Sequence, residues 1–202
     1  MAKRKAKSIK KKMIADTCNL CEFVGKFNDY RGRKEVECPN CGSLERQRFL
    51  YLEMKQFITP EARILHFSPN KGLKKTLQAA QTKVYITVDK EAGETMQADI
   101  QSLPFDDNSF DVIICSHILE HIPDDEKAVA ELRRVLSEKG HIFIQVPLFH
   151  DNQPDHVRSY DIKSISELLG KDHSIVTCEA PLNTEFRFDE RSNKIFIITK
   201  ND

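Results

Sequence analysis

Four of the six cysteines stand in two close pairs, Cys18-x2-Cys21 and Cys38-x2-Cys41, with 16 residues between the pairs. Two intervening residues let a tight knuckle aim both sulfurs at one point. A second knuckle supplies the other half of a tetrahedron, the coordination Zn2+ takes from four thiolates. "CPNCG" suits a knuckle, because Pro39 fixes φ and Gly42 permits a close backbone turn. Cys18, Cys21, Cys38 and Cys41 are therefore read as ligands of one structural zinc ion. Two redox dithiols are the other use of such pairs, but this spacing fits zinc better. A four-cysteine site is closed to water, so no catalysis is assigned to it. Cys115 and Cys178 lie alone in apolar runs and read as small core residues.

A second set of candidates lies at the ends of apolar runs. "RILHFSPNKG", residues 63–72, reads as a short buried strand and a turn, and "LKKTLQAA" after it has helical spacing. An α/β nucleotide-binding protein puts a glycine-rich loop between such a strand and helix. Here the turn is Ser68-Pro69-Asn70-Lys71, with Gly72 only at its end. A ligand without phosphates needs no phosphate cradle. Pro69 can shape the turn, and Ser68 or Asn70 can hydrogen-bond an amino-acid group. "VYITVD" ends in Asp89, 20 residues after Pro69, where a carboxylate accepts hydrogen bonds from ribose hydroxyls. A nicotinamide dinucleotide site would want G-x-G-x-x-G, which is absent.

Two groups could supply a base, since imidazole titrates near neutral pH. "SHILEH" holds His117, Glu120 and His121. His117 is expected to point into a pocket, whereas Glu120 and His121 can equally stabilise the following turn. "LFHDNQPDHVRSYD", residues 148–161, concentrates His150, Asp151, His156, Arg158 and Tyr160 after an apolar run. Loops at the carboxyl ends of strands bind ligands in α/β proteins. The alternative is a solvated loop in which His156 or Arg158 ties its end to the next helix.

The elements that must position these residues alternate from residue 63 onward. Strands are expected at 63–67, 83–88, 110–115, 141–147, 174–180 and 194–200. Helices are expected at 71–80, near 91–95, at 124–137 and at 162–170. Asp124 can cap the third helix, and Gly140 lies just beyond its end. "DVIIC" and "HIFIQV" are near-continuous apolar runs, which suit a parallel sheet buried on both faces. The alternation gives a doubly wound α/β sheet. Ahead of it, residues 43–58 form a leading helix with Ser43 as a candidate N-cap, ended by Thr59-Pro60. Residues 16–42 are the cysteine module, whose middle can form a small hairpin. So short a segment has too little core to fold without its metal. Losing the ion is expected to disorder it before the larger domain suffers. Residues 1–15 are a basic tail.

Net charge is zero but uneven. Residues 1–60 hold 14 Lys and Arg against 7 Asp and Glu, and the remainder hold 17 against 24. Seven of residues 3–12 are basic, which suits either a solubilising tail or an arm that seeks phosphates on RNA or another polyanion. No apolar run approaches the ~20 residues of a membrane span, and the basic N-terminus lacks the apolar stretch of a secretory signal. Cytoplasm is the expected location.

The block "ADIQSLPFDDNSFDVIICSHILEHIPDDEKAVAELRRVLSEKGHIFIQVP" closely resembles the class I S-adenosylmethionine-dependent methyltransferases, in particular the type 11 group. An acidic residue ahead of LPF, a strand, an LEH element, a helix and a Gly-led strand are all present. The resemblance covers roughly residues 62–200, and "CPNCGSLERQR" is similar to a subset of the group with an N-terminal cysteine module. It implies a mostly parallel, seven-stranded, Rossmann-like methyltransferase sheet over residues 43–202, preceded by the zinc-ribbon-like module. It implies S-adenosylmethionine as cofactor. Asp89 would hold the ribose, and Asp99 with Ile100 would face the adenine. Ser116 and His117 would border the methionine end and the methyl group. The loop with His66, Phe67, Ser68 and Pro69 takes the place of the family's glycine-rich first motif.

Methyl transfer is an in-line displacement at an activated carbon, and the enzyme's main task is alignment. A base is needed only when the nucleophile must lose a proton early, with His117, His150, His156 and Tyr160 as candidates. The acceptor is not legible. A small metabolite, a sugar or a lipid-linked intermediate is favoured, because "DNQPDHVRSYD" could wall a compact pocket. The rivals are an RNA methyltransferase, given the basic tail, and a catalytically inactive zinc-ribbon interaction protein. The sequence does not speak to oligomeric state.

Overall fold

The structure is a computed structural model that describes residues 16–91, 93–148, 154–177 and 194–200. His150, Asp151 and Cys178 lie outside the described residues, as does the tail.

Seven strands make one sheet: β5 (Arg63–Phe67), β6 (Val84–Asp89), β7 (Met96–Gln97), β8 (Phe110–Ser116), β9 (Leu136–Gln145), β10 (His173–Thr177) and β11 (Lys194–Thr199). Their spatial order is β10-β11-β9-β8-β5-β6-β7. The pairings from β9 through β8, β5 and β6 to β7 are parallel. β11 runs antiparallel to both β9 and β10. The apolar runs are strands for the expected reason: Ile113, Ile114, Cys115, Ile142, Phe143 and Ile144 are fully buried, because both faces of the sheet are covered. The chain leaves β5 toward β6 and later returns to β8 on the other side of β5. The carboxyl ends of β5 and β8 thus form a topological switch point, where such sheets bind ligands.

Helices α2 (Lys71–Ala79), α3 (Asp125–Val135) and α4 (Ile162–Leu169) fall within a few residues of their expected spans. Asn70, Asp124 and Asp161 cap them, each side chain accepting from a backbone N–H of the first turn. No helix forms among the described residues near 91–95; the chain turns and reaches β7, whose two residues pair with Val88 and Asp89. Gly140 is not a helix cap. Helix α3 stops at Val135 and the chain passes directly into β9, where residues 137–140 bulge out of register between the Phe110–Leu136 and Val112–His141 pairs. A Cβ on Gly140 would lie 2.8 Å from the Ser137 carbonyl oxygen, so the bulge requires glycine.

Residues 16–42 fold as two small antiparallel pairs, β1 (Asp16–Thr17) with β2 (Val24–Gly25), and β3 (Asn28–Tyr30) with β4 (Arg33–Glu37). Helix α1 (Glu45–Met54) follows. Its N-cap is Leu44 rather than Ser43, and Gln47 Oε1 accepts from the Leu44 N–H. The Ser43 hydroxyl points instead at the cysteines, 3.1 Å from Cys41 Sγ. The core does not divide at residue 42. One buried cluster joins Cys18, Leu20, Phe27 and Cys38 to Phe49 and Leu50 of α1, to Leu77 of α2 and to Ile64, Ile114 and Phe143 of the sheet. A second cluster fills the opposite face under α3 and α4. No helix among the described residues is long and apolar enough to cross a membrane.

Candidate functional site

The four paired cysteines converge. Cys18 and Cys41 Sγ are 3.7 Å apart, and Cys21 and Cys38 Sγ are 3.6 Å apart. All four sulfurs lie within 4.8 Å of one another. A tetrahedron with Zn–S of ~2.3 Å has edges of about 3.8 Å, and a disulfide would bring sulfurs to ~2.05 Å. The donor set and spacing fit zinc. The two knuckles share one hydrogen-bonding pattern. Cys18 O accepts from Glu22 N and Cys18 N donates to Phe23 O; Cys38 O accepts from Gly42 N and Cys38 N donates to Ser43 O. Glu22 and Gly42 both hold positive φ, 60° and 69°. Buried Arg48 supplies a cation against the sulfurs, donating to Ser43 O and Val36 O and stacking over Phe27. Burial pulls its pKa down, while the cysteines oppose the shift.

At the switch point a groove runs across the strand ends. Its larger part, about 560 Å3, is lined by Phe67, Val88, Asp89, Asp99, Ile100 and Gln101 and by Ile118 and Ile122 opposite them. That volume lies within the ~300–1,000 Å3 of small-molecule sites. Asp89 ends β6. Its carboxylate accepts from the Ser68 hydroxyl at 2.6 Å and from Glu91 N–H at 3.1 Å. Asp99 sits on the turn after β7, and hydrogen bonds from the Gln101 backbone and side chain hold its carboxyl below the usual range. Two carboxylates above an apolar floor that includes buried Ile100 suit a nucleoside, with ribose hydroxyls and an exocyclic amine as donors.

Phe67 and Ser68 continue into a smaller cavity of about 230 Å3, walled by His66, Asn70, Ser116 and His117 from the sheet side and by Arg46, Gln47 and Leu50 from α1. His66 is buried, its Nδ1 3.0 Å from the Tyr85 hydroxyl, and burial pushes its pKa down to about 3. The Ser116 hydroxyl donates to Gln145 Oε1, and Gln145 Nε2 donates to Arg46 O, which ties the end of β8 to α1. His117 Nδ1 lies 3.2 Å from Glu120 Oε1. Burial pushes the imidazole below its ordinary range against the opposing pull of Glu120, so it is neutral at pH 7 and can accept a proton.

Residues 63–67 end as expected, but the loop's polar groups are already engaged. Asn70 Oδ1 accepts from Gly72 N–H, and Ser68 N–H donates to Val88 O. Gly72 answers a different demand from a ligand's: a Cβ there would lie 3.0 Å from Cys41 O and 3.1 Å from Cys41 Sγ. Pro69 lines neither part of the groove. Of the candidate bases, His117 faces the groove. His156 packs edge-to-face on His121, ring centroids 4.7 Å apart, beside the groove-lining Asp155. Tyr160 is buried in the core beneath α3, and its hydroxyl donates to Asp125 Oδ2 at 2.6 Å. It is placed to fix the 154–161 segment rather than to meet a substrate. Arg158 pairs with the same Asp125 and donates to Pro123 O. The sequence reading missed Arg46, Gln47 and Leu50. The signal was a polar pair breaking the broad apolar face of "SLERQRFLYLEM".

Residues 49–144 match the family model described as a methyltransferase domain. The match spans a little under half of the chain, from within α1 to within β9. Over 75 residues it is 33% identical to the ubiquinone/menaquinone biosynthesis C-methyltransferase UbiE of Hahella chejuensis, a stretch that covers 37% of this chain and 30% of that enzyme. It is 44% identical over 48 residues to the uncharacterized methyltransferase YcgJ of Bacillus subtilis, across 24% of this chain and 19% of the relative. The solved structure of YcgJ shares the methyltransferase fold with a TM-score of 0.53 at 18% identity, covering 76% of this chain and 98% of that one. A 1,6-didemethyltoxoflavin-N1-methyltransferase from Burkholderia thailandensis, solved with its substrate and S-adenosylhomocysteine, aligns with a TM-score of 0.55 at 16% identity over 78% and 77% of the two chains.

Proposed function

We propose that this protein transfers a methyl group from S-adenosylmethionine to a small acceptor. The observation that carries the reading is the pair of adjoining cavities that share Phe67 and Ser68, with Asp89 and Asp99 lining one, His117 lining the other, and Glu120 behind His117. S-adenosylmethionine supplies an activated methyl group when bound. Asp89 would accept hydrogen bonds from the ribose, and Asp99 with Ile100 would hold the base. Ser116 and His117 would border the reacting end. Neutral His117 can take a proton from an acceptor at Nε2 while Glu120 steadies the resulting cation through Nδ1.

The small acceptor is supported by how firmly one wall of the groove is held. Asp155 forms part of its wall, and the segment carrying it is fastened by Val157 N–H to Glu120 O and by Arg158 to Asp125. The named acceptor of the Burkholderia neighbour is likewise a small molecule.

Calorimetric titration with S-adenosylhomocysteine tests the cofactor. Asp89→Ala should weaken binding by about 10- to 150-fold, the loss of charge-assisted hydrogen bonds worth roughly 1.5–3 kcal/mol, with the fold retained. No heat and no thermal shift for the unaltered chain at millimolar ligand would sink the reading. Salt-dependent RNA retention that flattens when residues 1–12 are deleted would move the acceptor from a small molecule to RNA.

A further inference from the structure

The smaller cavity holds a cation without an anion. Arg46 lines it, and its Nε is buried with no hydrogen-bond partner among the described residues. No carboxylate among those residues forms an ion pair with it. Two neighbouring charges are committed: Glu45 pairs with Arg33, and Arg48 is held by the backbone of the cysteine knuckle. Glu120 acts on Arg46 only through space: its Oε1 faces His117, and its buried Oε2 has no hydrogen-bond partner among the described residues. Burial and the nearby Arg33 pull the Arg46 pKa down to about 10, so it remains charged at pH 7. A desolvated guanidinium that lacks its counter-ion favours the arrival of one.

The loop opposite Arg46 offers an anion little. Pro69 has no N–H, Ser68 N–H is bonded to Val88 O, and Gly72 N–H is bonded to the Asn70 side chain. A glycine-rich turn would present a longer run of free backbone donors at this point; here only the N–H groups of Asn70 and Lys71 are left without a partner among the described residues. The cavity also shares Phe67 and Ser68 as walls with the nucleoside-sized part of the groove.

We propose that Arg46 is a carboxylate clamp: its guanidinium forks onto the α-carboxylate of an amino acid attached to the nucleoside, supplementing the few backbone donors that the 68–72 loop leaves free. This rests on the methyltransferase reading. It makes the site selective for a nucleoside that carries an amino-acid end. The planar fork matters as well as the charge, because arginine meets a carboxylate through two parallel hydrogen bonds where lysine offers a point charge.

The test compares two ligands on the zinc-loaded full chain by calorimetry: S-adenosylhomocysteine, and 5′-methylthioadenosine, which lacks the carboxylate. Arg46→Ala should weaken S-adenosylhomocysteine about 10- to 100-fold and leave 5′-methylthioadenosine within about twofold. Arg46→Lys should recover part of the loss. An equal loss for both ligands would assign Arg46 a structural role and overturn the proposal, as would no loss for S-adenosylhomocysteine. If Arg46→Ala fails to fold, the unaltered chain decides. It must bind S-adenosylhomocysteine at least about tenfold more tightly than its decarboxylated analogue, and equal affinities overturn the clamp. If the unaltered chain binds neither nucleoside, the methyltransferase reading falls and the clamp with it. Normal binding unaffected by Arg46 removes the clamp alone.

Discussion

Ser68 and His117 turn the chain at the two strand ends that make the groove, and both hold positive φ, 40° and 58°. The left-handed region costs a non-glycine residue on the order of 1–2 kcal/mol. Each is held there by a backbone bond to a neighbouring strand, Ser68 N–H to Val88 O and His117 N–H to Gln145 O. Strain at two groove-lining positions fits a site whose side chains must be aimed before a ligand arrives. His66, two residues before Ser68, makes the same region sensitive to acid. Its folded pKa of about 3, set by burial and by Lys74, lies below the ordinary imidazole value. Above pH 6.5 it is neutral in both folded and unfolded chains and adds no pH dependence. Below that the unfolded chain takes a proton that the folded chain refuses, so stability falls as pH drops toward 3. The slope is at most ~1.4 kcal/mol per pH unit. His117 and His141 shift in the same direction, so the contribution of His66 must be isolated by comparison. Urea unfolding at pH 7.5 and 5.5 should show the unaltered chain losing about 1 kcal/mol more than His66→Asn. Equal losses would show that His66 titrates normally.

At the scale of elements, legibility followed burial. Strands β5, β8 and β9 could be read because both faces of each are covered, which leaves runs such as "DVIIC" with little polar interruption. The direction of β11 could not be read, since an apolar run does not encode which way it enters a sheet. Strand β7 escaped because two half-exposed residues carry too little pattern. Tyr160 was mistaken for a site residue because its polar neighbours suggest a ligand loop. Its actual partner, Asp125, lies 35 residues away and is brought near only by packing. Asp89 was a candidate from its place at a strand end, and Asp99 and His117 from the family resemblance, whereas Arg46 reaches the groove from an element outside the sheet. Gly140 gives a direct check on the α3–β9 junction. Its absent Cβ would sit 2.7 Å from Leu136 Cδ1 and 2.8 Å from Ser137 O, and backbone cannot yield as a side-chain tip can. Gly140→Ala should cost about 1–3 kcal/mol and lower the Tm by roughly 3–10 °C. An unchanged melting curve would mean that the bulge relaxes freely.

At the scale of the whole molecule, the zinc module is built into the wall of the groove. Its knuckle touches α2 at Gly72, and Thr76 Oγ1 donates to Leu20 O. Its apolar residues share one core with the sheet. Cys41 leads within five residues to Arg46, and Ser43 and Arg48 join the knuckle to the first turns of α1. We propose that the four cysteines hold zinc, so removing the ion would take away the charge that draws their sulfurs together, and the disturbance would pass along α1 into the smaller cavity. The expectation from the sequence, a module that disorders while the larger domain stands, does not suit this packing. Chelation should instead lower the Tm of a single cooperative transition. It should also weaken S-adenosylhomocysteine more than 5′-methylthioadenosine, because the carboxylate end is the end that α1 reaches. Scanning calorimetry and paired titrations before and after zinc removal would measure both effects, with zinc release confirmed by elemental analysis. A separate low-temperature transition, with the main transition and S-adenosylhomocysteine affinity unchanged, would show that the module is an independent appendage.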